Sequence, residues 1–287
     1  MTPGFDEKMK LYSEKVMDAT VQFFTKTIRN PQFSPSAKKF HYQFNFRELA
    51  KIMEGMLRSV PQVFKNTNQI VRLWYHEVRR VFEDRFINTE DLTLFRSILK
   101  EAIGKSFGDF PEKDSPFVEP IIYTPFMGEF YQNVDDMTEL RRVLKEKLDE
   151  YNDMKAQMNL VLFDQAIEHV CRITRIILLP SGNSLLVGVG GSGKQSLSRL
   201  ASYIVGFELE QMVVTQNFNM NDLRTFLSDM YRKIAKPNSA TRVYMITDGQ
   251  IKNDTFLVPI NDMLNSGWIS DLFPGEDFDA MVGNLRN

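Results

Sequence analysis

The run Gly188-Val189-Gly190-Gly191-Ser192-Gly193-Lys194-Gln195 decides how this sequence folds. A short apolar stretch, Ser184 to Val187, leads into it, and an amphipathic segment from Lys194 to Ile204 leads out. Strand, glycine loop and helix in that order is the layout of a phosphate-binding loop. Glycines at 188, 190, 191 and 193 remove Cβ atoms, so successive N–H groups can converge on phosphate oxygens. The positive end of the following helix adds a favourable field. Lys194 supplies a point charge for the β and γ phosphates. Behind the loop, Leu197, Leu200, Ala201 and Ile204 share one helical face, which suits packing onto a sheet.

The position after the lysine departs from the pattern. A Ser or Thr hydroxyl there holds magnesium; here it is Gln195. Its amide oxygen is a possible ligand, but the side chain is two atoms longer than serine's. Ser196 follows, turned about 100° further round the helix. A second apolar run, Arg242 to Thr247, ends in Asp248, the place where P-loop proteins set a carboxylate for magnesium. Asp248 and Gln195 are therefore the candidate metal ligands. Asp254 is the nearby carboxylate, expected to cap the next helix.

Beyond single motifs, the sequence resembles a known family. GVGGSGKQSLSRLASYI, FNMNDLRTFLSDMYRKI and YMITDGQIKNDTFLVPINDMLNSGWISDLF are similar to the fourth AAA+ module of axonemal dynein heavy chains. The stretches Phe40 to Leu49, Arg72 to Glu77 and Arg80 to Arg85 resemble the helical lid of the preceding, third module. The resemblance implies a P-loop AAA+ α/β/α module with a parallel sheet, preceded by an all-α lid. It divides the chain into residues 1–110 (lid), 111–158 (connecting loop and helix) and 159–287 (partial large subdomain). It implies an adenine wall at Leu160, Val161 and Leu162, and a sensor role for Arg47 toward the preceding module. In this branch the residue after Asp248 is usually Glu, which polarises the attacking water. Gly249 stands there instead, and loss of a general base costs about 10²–10⁴ in rate.

The AAA+ strand order is 5-1-4-3-2. The sequence supplies strand one near 184–187, strand two near 211–215 and strand three near 242–247. Strand four is expected to be missing, and the sequence is expected to be a piece of a far larger polypeptide. Ladder groups of strands one and three would then lack partners, which is costly when buried.

Elsewhere helical periodicity predicts elements over Met9 to Ile28, from Phe46 with Asn45 as N-cap, and along Ile70, Trp74, Val78 and Val81. Further helices are predicted over Glu90 to Ile103, along Met137, Leu140, Leu144, Leu148 and Tyr151, and along Phe163, Ile167, Val170 and Thr174. Two more follow Asn219 and include Leu257, Ile260 and Leu264. A loop from Gly108 to Pro120, with three prolines, reads as a boundary.

The 287 residues carry a net charge of −2, which offers no case for nucleic acid or an anionic membrane as partner. One cysteine, Cys171, gives no disulfide framework. His41, His76 and His169 lie apart, without metal-ligand spacing. The resemblance implies ATP or ADP as ligand, with magnesium possible, in a microtubule motor of the cytoskeleton and the ciliary or flagellar axoneme. Implied partners are neighbouring AAA+ modules, microtubules reached by a stalk, and dynein intermediate and light chains. The alternative reading is a ring spacer that no longer binds nucleotide.

Overall fold

Four helices begin on an asparagine. The Asn45 side chain accepts from Arg47 N at 2.8 Å, and Glu48 returns the bond by accepting from Asn45 N at 2.8 Å. Asn66 and Gln69 exchange the same pair of bonds. Asn219 accepts from Asn221 N while Asp222 accepts from Asn219 N, both at 2.8 Å. Asn88 accepts from Asp91 N at 2.7 Å. Such caps satisfy N–H groups that a helix start otherwise leaves unpaired.

The computed structural model describes residues 4–111 and 115–286. The chain divides into two compact units between Val143 and Leu144. The first contains α1 (Glu7–Ile28), α2 (Phe46–Met56), α3 (Thr67–Phe82) and α4 (Thr89–Phe107). It also holds an antiparallel pair, β1 (Tyr123–Thr124) with β2 (Gln132–Asn133). α5 (Met137–Met154) crosses the division. These four helices lie where the periodicity predicts them. Of the expected Gly108–Pro120 loop, residues 112–114 lie outside the described residues.

The core of the first unit is aromatic. Phe23 meets Phe82 and Phe95 edge-on at 5.5 Å, and Phe44 stacks on Phe82 at 4.8 Å. Each fully buried ring of this kind contributes about 1.5–3 kcal/mol. Trp74 is fully buried, and its indole N–H donates to Thr20 Oγ1 at 2.8 Å. Two buried carboxylates of this core are paired as well. Asp91, with no exposed surface, accepts from Tyr42 Oη at 2.8 Å, Lys39 Nζ at 2.9 Å and Gln32 Nε2 at 3.0 Å. Glu83 takes both Arg79 and Arg96.

The second unit contains α6 (Asp164–Ile177), α7 (Lys194–Ile204), β3 (Glu208–Glu210), α8 (Met220–Ile234), β4 (Arg242–Tyr244), α9 (Leu257–Ser266) and α10 (Gly275–Arg286). α6 and α7 pack together. β3 and β4 pair in parallel, with Glu208 opposite Arg242. Met212, Leu223, Leu227, Met230, Phe256 and Ile269 form a core beside them. Parallel neighbours joined through a helix are what the strand-two and strand-three reading requires.

Several expectations need correction. The 184–187 run has no ladder partner among the described residues, and Leu185 and Val187 are 90% and 88% exposed. In the implied order it pairs with strand four, and no such strand is found among the described residues. The second strand is β3 at Glu208–Glu210 instead of 211–215, and the third stops at Tyr244. Finally, Asn253 and not Asp254 caps the turn before α9: its Oδ1 accepts from Thr255 N at 3.1 Å. Asparagine's short side chain reaches back to that N–H from the extended residue that precedes the turn. On α9 itself Leu257 and Leu264 stay exposed, and Pro259 is the buried position.

Candidate functional site

The glycine loop has the geometry that its composition permits. Gly191 and Gly193 sit at φ +75° and +77°, in the left-handed region where a Cβ is costly. Gly193 is the N-cap of α7, and Leu197 N donates to its carbonyl at 2.8 Å. The turn brings Lys194 back over the loop. Its Nζ donates to Gly188 O at 2.8 Å, Val189 O at 2.7 Å and Ser192 Oγ at 3.2 Å. Gly188, Val189, Ser192, Gly193 and Lys194 are thereby brought into one small structure, and Gly190 and Gly191 form its exposed tip.

Leu160 reaches this structure from the segment before α6. A Cβ placed on Gly193 would lie 3.7 Å from Leu160 Cδ1, so an apolar side chain flanks the loop. Val161 is 76% exposed beside it in sequence. The Asn152 side chain anchors the approach, accepting from Met158 N at 2.8 Å and donating to Met158 O at 3.3 Å.

Other expected residues are not joined to the loop. Gln195 is exposed and Ser196 half-buried, and neither side chain has a hydrogen bond among the described residues. Asp248 is exposed at the start of the 3-10 turn Asp248–Gln250, and its carboxylate has no hydrogen bond or ion pair among the described residues. Arg47 lies exposed in the first turn of α2, in the other unit.

Two residues that the sequence did not single out organise the ground beside Asp248. Gln250 Oε1 accepts from Thr247 N at 2.8 Å and from Thr247 Oγ1 at 3.1 Å, while its Nε2 donates to Met212 O. Lys252 Nζ donates to Thr215 O and Gln216 O. These side chains replace ladder bonds beyond Met245 N→Glu210 O, which explains why both strands stop short of the predicted lengths. The DGQ spelling of the turn carries no signal for this, because the partners are backbone carbonyls 36 to 38 residues away.

As a magnesium site the donor set is short. The ion prefers octahedral oxygen ligands and is usually held by carboxylates together with phosphates. Gly249 offers no side chain, the Gln250 amide is used at both ends, and Asp248 is the one carboxylate in the turn. No group of three His, Cys, Asp or Glu able to hold a metal occurs among the described residues. These residues do not make a fitted magnesium site.

Known proteins are similar to this chain in sequence. Residues 158–287 match the family described as the P-loop containing dynein motor region D4, and residues 16–115 match the AAA+ lid domain. The chain is 43% identical to the dynein beta chain of the flagellar outer arm from Chlamydomonas reinhardtii, over 99% of its own length. It is 42% identical to dynein axonemal heavy chain 11 of Sus scrofa over 95%, and to the ciliary dynein beta chain of Tripneustes gratilla over 96%. The chain spans 6% of the length of each of these relatives. With a helical lid, a glycine loop opening α7 and relatives this similar along nearly its whole length, the chain belongs to the axonemal dynein heavy chain family, over an AAA+ lid and the D4 P-loop region.

Proposed function

We propose that this chain supplies a regulatory nucleotide-binding AAA+ module to a microtubule-based motor, one that takes ATP or ADP and hydrolyses slowly or not at all. The observation that carries this reading is Lys194, whose ammonium lies against the Gly188 and Val189 carbonyls at the mouth of the glycine loop. An incoming phosphate would draw it off these neutral acceptors onto anionic oxygens, where hydrogen bond and ion pair act together. The loop amides and the start of α7 would take the remaining oxygens. Leu160, with Val161, would cover the base. Gly249 supports the second half of the proposal, since no carboxylate follows Asp248 to polarise a water.

Bound nucleotide would then act by shifting the population of module arrangements, as any ligand with unequal affinity for two states does. Arg47 would serve the preceding module, facing its nucleotide. The working place would be the ciliary or flagellar axoneme, with neighbouring AAA+ modules, microtubules, and intermediate and light chains as partners. Relatives are flagellar, ciliary and axonemal chains, which supports that placement.

The test is an equilibrium titration with fluorescent ATP and ADP. Lys194→Ala should weaken binding by about tenfold or more, since charge-assisted hydrogen bonds contribute about 1.5–3 kcal/mol. Equal binding by the variant would remove the proposal. Gly249 also suits a second reading, a ring spacer, for which wild-type chain would bind neither nucleotide.

A further inference from the structure

The protein side of the loop provides the Lys194 ammonium and a run of backbone N–H groups, while the metal side is nearly bare. We propose that the nucleotide binds here without a divalent metal, as the free di- or triphosphate anion. This rests on the nucleotide-binding reading above and narrows its ligand.

Of the oxygens that could complete a magnesium shell, only the Gln195 amide oxygen and the Asp248 carboxylate are free among the described residues, and the others are missing or engaged. A hydroxyl directly after Lys194 would sit at the start of α7 facing the loop; Gln195 has none, and its side chain extends into solvent. Ser196 is rotated about 100° from that direction. At the far end of β4, Gly249 contributes no atom. The Thr247 hydroxyl donates to Gln250, and the Gln250 amide oxygen already accepts two hydrogen bonds from Thr247. Its amide nitrogen is fixed on Met212 O, so the side chain cannot swing toward a cation without freeing three bonds. Lys252, four residues after Asp248, holds its ammonium against two backbone carbonyls on the same stretch, adding positive charge to this flank. Asp248 remains alone, exposed and unpaired among the described residues.

Magnesium keeps several waters and is held by one or two carboxylates together with the substrate's phosphates. Here the turn offers one exposed carboxylate, with no hydroxyl after the lysine and no second carboxylate to fix the ion's position. The phosphate charge is met instead by Lys194 and by the N–H groups of the loop and α7, which carry no metal requirement. The clamp made by Gln250 is what separates this site from one with a merely weak ligand set. It locks the turn in the arrangement that withholds the second oxygen.

The experiment titrates the full chain with fluorescent ATP and ADP, in excess magnesium and in excess EDTA. The two dissociation constants should agree within about threefold for each nucleotide. Manganese followed by electron paramagnetic resonance should show no bound ion beyond that carried by free nucleotide. Gln195→Ser restores a hydroxyl after the lysine and should make binding tighter in magnesium than in EDTA by about fivefold or more. Wild-type binding confined to the magnesium buffer, or weakened about tenfold by EDTA, overturns this inference and leaves nucleotide binding standing. Absence of binding in both buffers overturns the nucleotide-binding reading itself.

Discussion

Asp91 is a single carboxylate that ties three separate side chains to the start of α4. Burial pushes its pKa up, but hydrogen bonds from Lys39, Tyr42 and Gln32 outweigh burial and hold it below the ordinary value of 3.8. A carboxylate lowered in the folded state adds stability above its unfolded pKa and loses it as pH falls through the folded one. Glu83, lowered by Arg96 and Arg79 against its own burial, adds a second group of the same sign. The helical unit should therefore weaken as pH drops below about 4, followed by circular dichroism. Asp91→Asn should flatten that acid limb and cost about 1.5–3 kcal/mol at neutral pH, measured by urea unfolding. Of such residue-scale detail, the place of Lys194 at the head of α7 was legible from spacing alone. Gln250 and Lys252 were not, since a side chain bonding a distant carbonyl leaves no periodic trace.

At the level of elements, helices were easier to read than strands for a physical reason. A helix closes its hydrogen bonds within four residues and marks its start with a local cap, so Asn45 and Asn219 signal themselves. A strand depends on a neighbour, and β3 and β4 end where side chains bond the backbone groups that would have continued the ladder. Removing a cap should cost accordingly: Asn219→Ala is expected to destabilise the second unit by about 1 kcal/mol in thermal or urea unfolding. The packing of α2 against α3 is tighter than any sequence pattern suggests. A Cβ on Gly55 would stand 1.8 Å from Glu77 Oε2, and Glu77 is fully buried, bonded by Tyr131 Oη at 2.8 Å. Gly55→Ala should therefore cost about 1–3 kcal/mol, as overpacking does, and unchanged stability would show that Glu77 can move aside.

For the molecule as a whole, the fold class was legible and the extent of its sheet was not. Leu185, Val187 and Val189 stand exposed in a row on the stretch that enters the glycine loop. Apolar extended segments without partners invite edge pairing between chains. Amides at 184–187 should exchange with deuterium far faster than those of the β3–β4 ladder, in a native-state exchange experiment. Leu185→Lys combined with Val187→Lys should reduce light scattering of the concentrated chain without altering its circular dichroism. Strong protection at 184–187 would instead mean that the segment has a strand partner in solution.

The two tryptophans fall one to each unit, Trp74 fully buried under Thr20 and Trp268 half-buried against Phe273 and Phe278. Nature has in effect installed two optical probes of different colour. Excitation of a Trp268→Phe variant would report the helical unit alone through a blue emission. Trp74→Phe would leave the redder signal of the glycine-loop unit, so ligand effects on each could be watched without any added label.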